Sequence, residues 1–392
     1  MIDAAFLSQA RVPGHRPVMS NTTHHDFNLT ITQGAEGRRA TPNELLGRYD
    51  EIVTEKRLNW TTHYRLLRLL GSGGQGVVYL SERRGADNFT LPVALKIFSP
   101  EHFADAHAYD GAMLRMARTS ARVAQIQHDN LLDVHNFVDR NRIRMLVMEW
   151  IDGYDLSRLL VPSMLERVHS RVSAKRWDHI NQVIVTAGPR QPRVKPGVAV
   201  AIVRDCLAAM AALHREGLVH GDIKPSNLML KLTGNAKIVD IGAAFELDQP
   251  PPSRLCTPTY APPEVLEGNQ YTQQSDLASL GYVLIELLAG QPPFAGLVTY
   301  RELLDAKKQL PKRLKEILPE EVTCNQLLMN FCSRLIAPDP AQRFPTADDA
   351  NMQNEGASGF HRQLVKSDLA SEYESEIRMW MEVVKEAESE PA

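Results

Sequence analysis

In the run His220-Gly221-Asp222-Ile223-Lys224-Pro225-Ser226-Asn227, an aspartate is followed two positions on by a lysine and five positions on by an asparagine. Such a run suits neither helix nor strand. It reads as a loop bracketed by apolar Val219 and by Leu228, Met229 and Leu230, and loops of that kind carry functional side chains. Asp222 can accept a proton from a hydroxyl, Lys224 can neutralise a phosphoryl oxygen, and Asn227 can offer an oxygen to a divalent metal. Asp240, in Asp240-Ile241-Gly242, supplies a second and harder ligand. Phosphoryl transfer needs that set, because the reaction is mostly positioning and charge stabilisation. A polar surface turn would account for the eight letters taken alone.

These residues resemble the catalytic loop of the protein kinase family, specifically the eukaryotic-like (Hanks-type) serine/threonine kinases of bacteria. The family pattern H-R-D-x-K-P-x-N recurs at every position but one, where Gly221 replaces arginine. The resemblance implies a bilobal α+β kinase fold, with a β-rich N-lobe and a mainly helical C-lobe. It implies ATP and Mg2+ as cofactors and a protein substrate that receives the γ-phosphoryl group on a Ser or Thr hydroxyl. Asp222 and Lys224 would be catalytic, and Asn227 and Asp240 would hold the metal.

Order begins near Tyr64 and leads into Gly71-Ser72-Gly73-Gly74-Gln75-Gly76, then Val77-Val78-Tyr79, a polar turn, and Val93-Ala94-Leu95-Lys96-Ile97-Phe98. A bare G-x-G-x-x-G is also the mark of a dinucleotide-binding turn. Here Gly76 precedes a β-type run rather than a helix, and Lys96 lies inside a second apolar run. By resemblance the glycine turn covers the ATP phosphates, where a Cβ would hold the backbone N–H groups away, and Lys96 grips the α- and β-phosphates. Val78, Ala94 and Met148 would line the nucleotide pocket, and the backbone of Glu149 to Ile151 would bind adenine.

A helix is predicted within His102–Gln127, where Met113, Met116, Ser120 and Val123 recur at three-to-four spacing. In the family this helix carries a glutamate that pairs with the strand lysine. The expected position holds Thr119, or Met116 after a one-turn slip, and no glutamate stands between Glu101 and Glu149. Asp110 is the substitute partner within reach only if the helix is shifted.

Further on, Cys256-Thr257-Pro258-Thr259-Tyr260-Ala261-Pro262-Pro263-Glu264 resembles G-T-P-x-Y-x-A-P-E, with Thr257 expected to contact Asp222 and Lys224. The resemblance also makes Asp276 a holder of the loop backbone and Arg343 the partner of a buried Glu264. In the family, arginine at the position of Gly221 receives a phosphate from the activation segment. Its absence predicts a segment not gated that way, whatever happens at Ser253 or Thr259.

Residues 1–60 read as a polar, flexible extension, with a short helix within Pro42–Lys56 that would pack on the next domain. An N-lobe is expected at 61–151 and a C-lobe at 152–365. An insertion at 161–196, rich in arginine and lysine, reads as a solvated loop with a short helix, or as a recruiter of an acidic protein partner. Residues 366–392 read as an amphipathic helix, 366–385, and tail; its stripe, Leu369, Tyr373, Ile377, Trp380 and Val384, would pack in cis or on a partner.

With 392 residues, 43% hydrophobic content and net charge −3, the chain has an ordinary soluble composition that does not favour nucleic acid. Four cysteines lack C-x-x-C spacing, no secretory signal is apparent, and no uninterrupted apolar run approaches a membrane span. The expectation is a reduced, cytoplasmic protein; oligomeric state is not legible. Two rival readings remain: a pseudokinase that binds nucleotide or scaffolds partners, and a small-molecule phosphotransferase on the same fold. The first is suggested by the missing glutamate, Gly221 and Pro262.

Overall fold

The computed structural model describes residues 63–251, 256–365 and 373–389. The helix expected within 42–56, Ser253 and Leu369 lie outside them.

Five antiparallel strands come first: β1 (His63–Gly73), β2 (Gly76–Arg84), β3 (Thr90–Phe98), β4 (Val134–Arg140) and β5 (Ile143–Glu149), in the order β1-β2-β3-β5-β4. In central β3 the residues alternate between faces. Val93 and Leu95 join Val147 in one small cluster, whereas Ala94 and Phe98 face the main core. Lys96 falls on the Ala94 face. The pleat therefore decides where its ammonium goes.

Helix α1 (Ala106–Val123) follows β3, narrower than the 102–127 read from the sequence. Asp105 ends the preceding turn by accepting from the Ala108 N–H at 2.7 Å, which caps the helix start. Tyr109, Met113, Thr119, Ser120 and Val123 are its buried face.

The remaining residues are mainly helical. Short strand β6 (Gly153–Asp155) joins β10 (Leu228–Lys231) and β11 (Ala236–Ile238) in a second sheet; β9 (Leu218–Val219) pairs with β12 (Phe245–Glu246). The insertion is more ordered than the expected solvated loop with a short helix: it folds into α2 (Pro162–Arg171), α3 (Ala174–Val183) and a two-residue ladder of β7 (Val185–Thr186) and β8 (Arg193–Val194). Met164, Val168 and Ile180 are buried there, because apolar residues at helical spacing outweigh the basic letters between them.

Helix α4 (Pro196–Arg215) and helix α5 (Gln273–Ala289) form the centre of this part, and α5 stops where Gly290 turns into the left-handed region (φ +67°). By length and apolarity α4 could cross a membrane, yet 72% of that stretch is buried inside the protein. Helix α6 (Tyr300–Ile317) opens with a capping box between Thr299 and Glu302. Helix α7 (Tyr373–Ser389) packs in cis against α2, α4 and β10. Tyr373, Ile377, Trp380 and Val384 of the expected stripe are buried in that contact. A Cβ on Gly197 would come within 2.1 Å of the Tyr373 ring, so the glycine leaves a flat seat for it.

Candidate active site

The loop at 220–227 is suspended from one carboxylate. Asp276, buried in the first turn of α5, accepts from the backbone N–H of His220 (2.8 Å) and of Gly221 (3.0 Å), from the Tyr271 hydroxyl (2.6 Å) and from the ring of His214 (3.0 Å). Burial alone would push this carboxyl up, but the hydrogen bond and charge of His214 and the further donors hold it below the ordinary range. A left-handed turn at Gly221 (φ +80°) lets the chain bend here, and a Cβ would meet the Ala243 carbonyl at 2.7 Å.

That bend delivers Asp222. Its Oδ1 accepts from the Thr257 N–H (3.1 Å) and hydroxyl (2.7 Å). Its Oδ2 meets the Lys224 ammonium at 2.7 Å and the Asn227 amide nitrogen at 3.3 Å. Lys224 also donates to the Thr257 hydroxyl (3.0 Å). Asn227 Nδ2 donates to the Asp222 carbonyl at 2.8 Å, which leaves the amide oxygen as the atom available to a cation.

Across the cleft, Lys96 donates to Asp240 Oδ1 at 2.6 Å and to Gln75 Oε1 at 2.7 Å. Asp240 itself has a left-handed backbone (φ 60°), stabilised by the Gly242 N–H on Oδ1 at 3.1 Å. Burial opposes its charge, whereas Lys96 and that N–H favour it, and the carboxyl lies low on balance. Asn227 and Asp240 each offer a hard oxygen, and no group of three or more His, Cys, Asp or Glu side chains suited to a metal occurs among the described residues. That donor set fits a hard dication that takes its remaining oxygens from phosphates and water.

Residues 64–354 match the Protein kinase domain family. The chain belongs to the protein kinase family.

Among similar proteins, the serine/threonine-protein kinase PrkC of Bacillus subtilis (strain 168) is 29% identical over 294 residues, which are 73% of this chain and 39% of PrkC. Serine/threonine-protein kinase PknD of Mycobacterium tuberculosis is 31% identical over 294 residues, 73% of this chain and 38% of PknD. Serine/threonine-protein kinase pkn2 of Myxococcus xanthus is 27% identical over 312 residues, 76% of this chain and 32% of pkn2. The chain therefore spans well under half the length of those relatives.

The bilobal α+β expectation for the kinase fold holds. The substitute partner considered for Lys96 does not. Asp110 is engaged instead by Arg142 (2.6 Å) and Arg144 (3.3 Å) on the β4–β5 hairpin. It lies nine residues, about two and a half turns, before the Thr119 position on α1.

The glycine turn departs in a second way. Gly76 is required by its own sheet: with φ +133°, a Cβ would stand 2.0 Å from the Ile97 carbonyl. Gly71 and Gly73 have open space where a Cβ would go. Val78 pairs with Lys96, and Ala94 with Met148, across the sheet. Ser72 and Gly74 complete the exposed turn. The Glu149 side chain is turned to Lys237 and to the Asp133 N–H (2.7 Å). Ile151 packs against the main core.

Below the site, Glu264 and Arg343 form the expected buried pair. Two contributors were not singled out from the sequence. Gln75 was read only as a member of the glycine turn. Lys307 is fully buried on α6, donates to the Thr259 carbonyl at 2.5 Å, and lies over the Tyr282 (4.3 Å) and Phe294 (3.9 Å) rings. Its signal was present: Leu303, Lys307, Leu310 and Leu314 form one stripe at four- and three-residue spacing.

Proposed function

We propose that this kinase domain transfers the γ-phosphoryl group of ATP to Ser or Thr hydroxyls of a protein substrate. The observation that carries the reading is the triangle of Asp222, Lys224 and Thr257. An acceptor hydroxyl reaching Asp222 meets a carboxylate fixed in place by two donors on each oxygen, so its orientation is set before the proton arrives. Lys224, shared by Asp222 and Thr257, sits where charge on the transferred group can be balanced without reorganisation. Lys96 and the turn 71–76 would hold the phosphates behind it. A divalent ion on Asn227 and Asp240, Mg2+ by preference for such oxygens, would neutralise the phosphate oxygens.

Nothing in the family match or the similar proteins favours the pseudokinase alternative, and Asp222, Lys224, Asn227 and Asp240 are all present. Recruitment of an acidic substrate by the insertion is also weakened: Arg176 faces Glu376, and Arg193 and Lys195 are paired with Glu321. The test is phosphate incorporation into a generic Ser/Thr acceptor with Mg-ATP. Incorporation by the natural sequence and its loss in Asp222→Asn supports the reading, and equal incorporation by both, or none by either, overturns it.

A further inference from the structure

Lys96 has lost the partner on which the family relies. Helix α1 carries a single carboxylate, Asp110, and the β4–β5 arginines hold it away from the cleft. Among the described residues, the hydrogen-bond acceptors on the Lys96 ammonium are Asp240 Oδ1 and Gln75 Oε1. Asp240 is also a metal-ligand candidate, so its carboxylate has a competing task. The Gln75 oxygen has none.

Gln75 reaches the lysine from a fixed backbone. Its carbonyl accepts from the Ser99 N–H at 3.0 Å, just beyond the end of β3, and Gly73 pairs with Gly76 across the turn. The turn is thus fastened to the strand that carries Lys96. A second feature points to the same contact. A Cβ on Gly242 would sit 2.2 Å from Gln75 Oε1 and 2.9 Å from both Lys96 Nζ and Asp240 Oδ1. Glycine at 242 is what leaves space for the three groups to meet.

From this we infer that Gln75 is a positioning residue for Lys96, taking over the orienting role for which α1 has no carboxylate. The consequence differs in kind from an ion pair. A neutral amide oxygen satisfies one ammonium proton without cancelling charge, so Gln75 itself takes nothing from the attraction between Lys96 and phosphate oxygens, whereas Asp240 at 2.6 Å does. The lysine is also oriented by the turn that covers the nucleotide, and nucleotide engagement of that turn sets the lysine directly. Helix position no longer does. This inference rests on the nucleotide-binding reading given above.

The test compares full-length Gln75→Leu, which removes the acceptor at similar volume, with Gln75→Glu, which keeps it. The first readout is independent of turnover: the pH profile of Lys96 acylation by a small anhydride, followed by mass spectrometry without nucleotide. The midpoint is expected to fall in Gln75→Leu and to rise in Gln75→Glu relative to the natural protein. The second is kcat/KM for ATP, expected to fall roughly tenfold or more in Gln75→Leu, the scale of one hydrogen bond to a charged group. Gln75→Glu should recover most of that loss, and KM for the acceptor should not move. Coincident acylation profiles overturn the inference. So does equal loss of kcat/KM in both variants, which would assign the effect to loop shape. Ordered profiles in a protein that incorporates no phosphate would keep the inference and sink the function proposed above.

Discussion

Arg343 holds Glu264 with both terminal nitrogens, Nη1 to Oε1 at 2.7 Å and Nη2 to Oε2 at 2.8 Å, and both side chains are buried. The same guanidinium donates to the carbonyls of Ala337 (2.7 Å) and Gln274 (2.9 Å). It therefore ties the segment ending at Glu264 to α5 and to the residues before 343. Arg343→Met should destabilise the fold by about 3–5 kcal/mol, because a buried carboxylate is left uncompensated. Urea unfolding measures this. A loss under about 1 kcal/mol would remove the pair from the scaffold.

Thr257 fixes Asp222 and Lys224 through one hydroxyl. Thr257→Val keeps the backbone N–H and the shape but removes that oxygen, so kcat should fall about ten- to a hundredfold. Thr257→Ser should restore most of it. Steady-state kinetics beside a thermal melt separate the two explanations, since the midpoint is expected to change little. Equal activity of Val and Ser variants would contradict the role.

Restoring the family's arginine should do harm. Gly221→Arg places a side chain at φ +80° and against the Ala243 carbonyl, with an expected cost of about 1–3 kcal/mol. Activity should fall and should not become dependent on segment phosphorylation. Conversely, the double variant Ser253→Ala, Thr259→Ala should keep its activity. Abolished incorporation in that double variant would show that another group receives a phosphate.

Burial pushes the Lys307 ammonium down to about 7, and the two ring faces and the Thr259 carbonyl favour the charge that remains. Between pH 7 and the ordinary lysine range near 10, the unfolded chain holds a proton that the folded chain has released. Stability should therefore rise with pH across that window, and the cost of burying the charge applies in full below it. Lys307→Met should flatten the rise. Stability measured by urea at several pH values checks this, and parallel curves for both proteins would exclude the lysine as its source.

Much of the site was legible because its chemistry sits in short, fixed spacings. Asp222, Lys224 and Asn227 share one loop, and Asp276 opens a helix whose apolar run is plain. The Lys96 partner was not legible, since it is decided by which turn folds over which strand, and no local pattern records that. The extent of order in the insertion is hard to read from the letters for a related reason. Its basic residues dominate the letters, yet Met164, Val168 and Ile180 at helical spacing decide the structure, and their charged neighbours find Glu321 and Glu376 far along the chain. Lys307 shows the converse, a charge on an apolar stripe that the three-dimensional cage makes tolerable.

The closing helix alters what counts as the smallest autonomous unit. Lys385 reaches Asp152 at 2.7 Å, just before β6, and Glu376 meets His179 of the insertion at 2.8 Å. A fragment trimmed to the segment shared with relatives would bare the trench that Trp380 and Met381 now fill, and the flat seat at Gly197 would face water. Such a truncation would be sticky, and any sluggishness it showed in solution would reflect a missing wall rather than a defective reaction centre.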